Sequence, residues 1–198
     1  MSEAWRNLSP PPETSVVGPA RQVGCIVKDI DAAIAYWAGT VGAGPFFIMR
    51  RIKFDNFRHL GQPAPSPEVS LAFGQFGQLQ IELIEQHDMT PSGYRDFLEG
   101  GREGPQHMAF WFSDPAEYDR VHHELARKGM FVRHESTGPG PRFAYFSQGD
   151  GIYPELELAE ALLPGDNWAE MIAQASMGWT GEDPIRLADG SPEPQSAT

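Results

Sequence analysis

The chain is 198 residues long, 40% hydrophobic and 21% charged, with a formal net charge of -12 and a sequence pI near 4.8. That length buries a sizeable core, and one compact body of two small modules is expected rather than two independent domains. The acidic balance argues against nucleic acid or an anionic membrane as the main partner, and the single Cys25 excludes an intrachain disulfide and suits a reducing cytoplasm.

Residues 1–18 open with MSEAWRNLSPPPE, show no periodicity and no apolar h-region, and read as an arm. No stretch reaches the ~18 apolar residues of a membrane span, so a cytoplasmic protein is expected. A strand follows over about Arg21 to Val27, with Cys25 inside it as a buried structural thiol. Asp29 is placed to cap a helix, IDAAIAYWAGTV, whose Ile30, Ala33, Ile34 and Trp37 share one face. Gly42 to Pro45 ends it. PFFIMRRIKF reads as a second strand and His59 to Pro67 as a Pro-rich loop; VSLAFGQFG and QLQIELIE then form a hairpin turning near Gly77. Residues 19–88 are thus a β-α-β-β-β module. The linker, 89–104, carries one short helix capped by Thr90 or Ser92.

The second module, 105–160, starts a strand at Gln106. Asp114, Pro115 and Glu117 together mark a helix start: a cap, proline at the first helical position and an acid at the third. MFVRHE, PRFAYFS and YPELELAE complete a second β-α-β-β-β. Residues 161–198 hold an amphipathic segment, NWAEMIAQASMGW, and a polar tail.

The two modules follow one plan, and internal repetition constrains an architecture more than any single motif. Gln22 and His107 each open an apolar strand, Asp29 and Asp114 follow seven residues on, and Gly42 and Gly129 stop the helices. Each module closes on an alternating strand with a central carboxylate, Glu82 or Glu157. Alternation puts Gln80, Glu82 and Ile84 on one face, and Glu155, Glu157 and Ala159 on the matching face of the other module. The opposite, apolar faces are expected to pack on the helices. Singly, each polar residue has an ordinary reading, as a hydrogen-bonded histidine or a solvent-facing acid. Together, Gln22, Glu82, His107 and Glu157 occupy equivalent places on a concave surface, where polar groups need solvent, partners or a metal.

The segments GCIVKDIDAAIAYWAGTVGAGPF, QIELIE, GPQHMAFWFSD and RFAYFSQGDGIYPELELAE resemble the vicinal oxygen chelate superfamily, which includes glyoxalase I, methylmalonyl-CoA epimerase, extradiol dioxygenases and bleomycin-resistance proteins. The resemblance runs from Arg21 to Glu160 and is closest to the epimerase-like and glyoxalase-like branch. It implies an α+β fold of two paired β-α-β-β-β modules in a cup-shaped, partly closed sheet with helices outside. It also implies one divalent metal ion at the base and a homodimer. Gln22 falls where the epimerases carry a first-strand histidine; Glu82, His107 and Glu157 fall at the other three ligand positions. A Gln, Glu, His, Glu set is similar to that of some glyoxalases I.

Two carboxylates, an imidazole and an amide oxygen suit Zn, Ni, Co, Mn or Fe with positions open to substrate. The substrate class expected is a small molecule with vicinal oxygens or an acidic C–H. The ion would act as a Lewis acid on an enediolate or enolate, with Glu157 as base and Glu82 as second choice. That describes an isomerase, epimerase or glyoxalase-like lyase. Two alternatives stand beside it: a metal-free, resistance-type binding protein, and an Fe(II) ring-cleaving dioxygenase, which typically needs two histidines and one carboxylate. Arg142, Phe143, Tyr145 and Trp111 are expected to line the cup, Arg142 pairing with a substrate anion or in a salt bridge. Phe46, Phe47 and Phe110 add to an apolar cup or to the core. His122 and His123 lie in the second helix, one facing solvent, and His59 and His87 lie in loops.

Overall fold

In the computed structural model, which describes residues 15–138, 141–149, 153–160 and 168–194, the apolar first strand is β1 (Gln22–Ile26). Asp29 caps α1 (Ile30–Tyr36) by accepting from the Ala32 amide at 2.9 Å. The last turn widens into a π turn over Trp37–Val41 and ends at Gly42, whose φ of 78° is left-handed. Then come β2 (Phe46–Ile52), β3 (Phe57–His59), β4 (Gln62–Pro63), β5 (Val69–Phe76) and β6 (Leu79–Gln86). Of the two candidate caps in the linker, Ser92 takes the role for α2 (Gly93–Glu99), accepting from the Arg95 amide at 3.0 Å. The second module comprises β7 (Gly104–Phe112), α3 (Pro115–Arg127), β8 (Phe131–Ser136), β9 (Phe143–Ser147) and β10 (Glu155–Glu160), with Asp114 capping α3. α4 (Trp168–Ser176) and β11 (Ile185–Arg186) follow.

Among the described residues all strands join one sheet in the order β11-β2-β5-β6-β1-β7-β10-β9-β8-β3-β4, curved but not closed. Its centre is the antiparallel pair β1–β7, which brings the two modules together head to tail. On one side β1 runs parallel to β6, and on the other β7 runs parallel to β10. Gln22 aligns with Gln80 and Gly24 with Glu82. In the same relation, His107 aligns with Glu155 and Ala109 with Glu157. The repeat read in the sequence is therefore a repeat of register.

The outer face carries two apolar cores. Ile30 and Ile34 of α1 pack on Cys25, Phe46, Ile48, Ile81 and Leu83; Tyr118, Val121 and Leu125 of α3 pack on Phe110, Phe112, Phe146 and Leu158. Phe46 and Phe110 thus belong to these cores and not to the cup. Burial pushes the Cys25 thiol up to about 11, with the Glu82 charge adding to it, so the group stays a neutral apolar filler. A third cluster (Ile26, Val69, Leu71, Ile84, Tyr94, Phe97, Tyr145) lies on the inner side.

Three features depart from or extend the two-module plan. The segment expected as a Pro-rich loop from His59 to Pro67 instead forms the turn and second strand of the short β3–β4 hairpin, whose β3 leaves module one and pairs with β8 of module two. Strands of two and three residues have no periodicity to read, and only the free edge of β8 makes them strands. Of the arm expected over 1–18, residues 1–14 lie outside the described residues, while Val16 and Val17 pack against the α3 core. α4 lies on the inner face, with Trp168 edge-on to Phe47 (5.7 Å) and Phe73 (6.2 Å); residues 161–167 and 195–198 of the C-terminal region lie outside the described residues. Among the described residues no helix is long and apolar enough to cross a membrane.

Candidate metal centre

Strand alternation aims Glu82 of β6 and Glu157 of β10 at the inner face, on either side of the β1–β7 seam. His107 of β7 stands between them. Its Nε2 lies 3.2 Å from Glu82 Oε2 and 3.3 Å from Glu157 Oε2. One ligand atom from each of the three residues falls within 4.8 Å of the others. All are buried, His107 to 1% exposure.

The seam explains how the imidazole fits. Gly24 sits across from His107, and a Cβ there would stand 1.8 Å from the ring. Any side chain at position 24 displaces the imidazole. The edge of Tyr145 closes the other side, with ring centroids 4.7 Å apart at 80°. Behind the ring, His107 Nδ1 lies 2.7 Å from Gln106 Oε1. The Gln106 amide nitrogen donates to Glu155 Oε2 at 2.8 Å, and Glu155 in turn accepts from Arg133 Nε at 2.5 Å. With its nitrogen committed to Glu155, Gln106 presents an acceptor to the ring, so Nδ1 keeps a hydrogen whether the ring is neutral or charged, and Nε2 faces the carboxylates.

Gln22 lines the same space. Its amide nitrogen donates to Gln80 Oε1 at 2.7 Å, which leaves its carbonyl oxygen free of hydrogen bonds among the described residues.

Electrostatics make the cluster unlike a surface ion pair. Burial pushes the Glu82 carboxyl up to about 7, against the pull of its hydrogen bond to His107 and with the help of the Glu157 charge. Burial alone would depress His107, but the adjoining Glu157 and Glu82 carboxylates outweigh it and raise the imidazole to about 9. The charged ring has one N–H, on Nε2, to offer two acids: it meets Glu82 Oε2 at 3.2 Å in hydrogen-bond geometry, while buried Glu157 Oε2, 3.3 Å away, is held by charge alone. An orphaned carboxylate oxygen, a second carboxylate, an imidazole with a fixed hydrogen and an unbonded amide oxygen fit a divalent cation.

Above the cluster is a cavity of about 350 Å³. Gln22, Glu82, Glu157, Trp111, Arg142, Phe143 and Tyr145 all contribute to its lining. Arg142 does so with its charge already engaged, donating to Asp119 at 2.8 Å and Glu160 at 2.5 Å while lying over the Tyr118 ring. Sequence reasoning did not single out Tyr94, Phe54 or Trp168, which also line the cavity. Tyr94 comes from the linker helix and Trp168 from the C-terminal segment, and no local pattern places either near the seam. Tyr94 and Tyr145 hydroxyls meet at 3.3 Å, and burial holds both phenols well above their usual range.

The other histidines stand apart from the cluster. His134, fully buried, accepts from the Gly93 amide at 2.9 Å, and burial keeps it well below its usual value and neutral. His122 is half-buried against Phe146 and His123 is exposed. His87 meets the Ser70 hydroxyl at 2.7 Å, and His59 lies 3.6 Å from Asp96.

A family model described as Glyoxalase/Bleomycin resistance protein/Dioxygenase superfamily matches residues 21–146. No curated protein matches the chain. Among solved structures, the chain is similar to a hypothetical protein from Bacillus halodurans C-125, with TM-score 0.52 and 18% identity over 75% of this chain and 98% of that one. It is also similar to methylmalonyl-CoA epimerase from Mycobacterium tuberculosis, with TM-score 0.51 and 21% identity over 80% of this chain and 96% of that one. At these identities the likeness is one of fold.

Proposed function

The chain belongs to the glyoxalase/bleomycin resistance protein/dioxygenase superfamily, and from that premise we propose that it is a divalent-metal-dependent isomerase, epimerase or lyase that removes a proton beside a carbonyl. The reading rests on one observation above all, the convergence of Glu82, His107 and Glu157 within 4.8 Å beneath a cavity. These three residues would hold the ion, with the Gln22 carbonyl oxygen as a fourth donor. A divalent ion there supplies Lewis-acid polarisation of the substrate's oxygens.

The chain's own groups account for the rest. Glu157 is the base, because its Oε2 makes no hydrogen bond while Glu82 is tied to His107. Glu82 faces the same cavity from the other module, the arrangement a two-sided proton transfer needs. The paired Tyr94 and Tyr145 hydroxyls stay neutral and offer a hydrogen to charge developing on a substrate oxygen. A fold shared with an epimerase of methylmalonyl-CoA is in keeping with proton transfer. The carboxylate-rich cluster, with one imidazole among the described residues, is a poorer match to the two-histidine set of ring-cleaving iron enzymes.

The test has two parts. Plasma mass spectrometry should find about one divalent ion per chain, lost on chelation. In heavy water, 2-hydroxyacetophenone should take up deuterium beside its carbonyl only when the ion is present, and Glu157→Gln should slow this at least ~100-fold. A second reading is a metal-free binding protein, favoured by the imidazole that stands within 3.3 Å of both carboxylates and can balance their charge. No uptake of any supplied ion would select it and remove the first.

A further inference from the structure

We propose that the molecule this cup accepts is uncharged and largely apolar: a ketone, diketone or hydroxyketone with an aromatic or alicyclic body, not a carboxylate or the thioester of an anionic carrier. The proposal takes the vicinal oxygens from the proton-transfer reading above; the apolar, uncharged body is argued from the cavity itself.

Met49, Phe54 and Phe73 from module one, Trp111 and Phe143 from module two, and Trp168 from α4 line the cavity, and each keeps part of its surface open. Apolar side chains left half-buried around a concave space are unusual unless something apolar covers them. The rings are held in place: Phe54 meets Phe143 edge-on at 4.9 Å, and Trp168 is braced by Phe47 and Phe73. A cavity of about 350 Å³ lies at the small end of the ~300–1,000 Å³ typical of ligand pockets, enough for a one- or two-ring body.

Charge points the same way. The acids at the cavity are Glu82, Glu157 and Glu160, and the single cation among the described lining residues is Arg142. Its guanidinium is held by Asp119 and Glu160. The first turn of α4, beside the cavity, adds the acidic Glu170. A divalent ion would be balanced by Glu82 and Glu157. A substrate anion would then enter an acidic, poorly hydrated space in which the one cation among the described lining residues, Arg142, is already engaged.

The test compares near-isosteric probes: 1-phenyl-1,2-propanedione, which is neutral, and phenylglyoxylate, in which a carboxylate oxygen replaces the methyl group. Calorimetric titration of the metal-stripped full chain removes chelation from the comparison, with coenzyme A as a third ligand. The diketone should bind at least ~10-fold more tightly than either anion. Trp168→Ala should weaken the diketone about 10-fold and Trp168→Phe should restore most of it, with circular dichroism checking the fold. Equal or tighter binding of an anion, or no saturable binding of the diketone, overturns the proposal. If the diketone binds as expected but the protein takes up no metal and exchanges no deuterium, the proton-transfer reading fails and the cavity's preference stands.

Discussion

The two halves of the seam share a register but not a chemistry. At the strand openings module one has Gln22 and module two His107; on the parallel neighbours Gln80 answers Glu155, and Glu82 answers Glu157. At the crossing, Gly24 answers Ala109. In module one the two amides bond to each other and stop there. In module two the imidazole is braced through Gln106 and Glu155 to Arg133, which also reaches Asp96 at 3.1 Å. The fold has two equivalent sets of positions, and they differ in how firmly each holds its side chain at the seam. Module two orients the imidazole, and module one makes room for it at Gly24.

The sharpest way to break this asymmetry is to remove the paired openings. His107→Ala should weaken metal binding on the order of 1,000-fold, read by competition with a chelator, with far-UV circular dichroism close to wild type. Gln22→Ala should weaken it only about 10-fold. Equal losses would mean that the halves contribute alike. Next comes the crossing. Gly24→Ala pushes a Cβ into the imidazole, so metal affinity should fall at least ~100-fold, with about 1–3 kcal/mol lost in urea denaturation. Its mirror, Ala109→Gly, should cost about 1 kcal/mol through backbone entropy and leave affinity unchanged.

The brace is a finer test. Gln106→Ala should reduce metal affinity about 10–100-fold, because Nδ1 loses the acceptor that orients the ring. Arg21 precedes Gln22 as Gln106 precedes His107, and Arg21→Ala should change nothing at the site. The smallest effect is expected at the helix caps. Asp114→Ala should lower stability by about 1 kcal/mol. Asp29→Ala should cost less, since Glu85 also accepts from the first turn of α1, at the Ile30 amide, 3.1 Å away. Thermal melts of the two variants against wild type would rank them.

Much of this comparison is legible in the sequence, because local chemistry decides it. Asp29 and Asp114 cap their helices, Gly42 ends one with a left-handed φ, and alternation over QLQIELIE and PELELAE puts each glutamate opposite its leucines. The matched spacing of Gln22 with Asp29 and of His107 with Asp114 needs no tertiary contact to be seen. Other elements had no such signal. The β3–β4 hairpin exists because β8 offers an edge from the other module. Tyr94, Gln106 and Trp168 reach the site from a linker helix, from the residue beside the histidine, and from a C-terminal helix.

By itself, the sequence determined the repeat, the strand and helix order, and which polar residues occupy equivalent inner positions. Periodicity, caps and turns act within a few residues, so they are written locally. The tertiary structure decided that β1 meets β7 antiparallel, and with it that Glu82, His107 and Glu157 fall within 4.8 Å of one another. It also decided that a buried carboxylate oxygen lacks a partner and that α4 closes one wall of the cup with Trp168. Those outcomes depend on contacts between residues far apart in the chain, where the burial of a face and the pairing of an edge determine what each side chain meets.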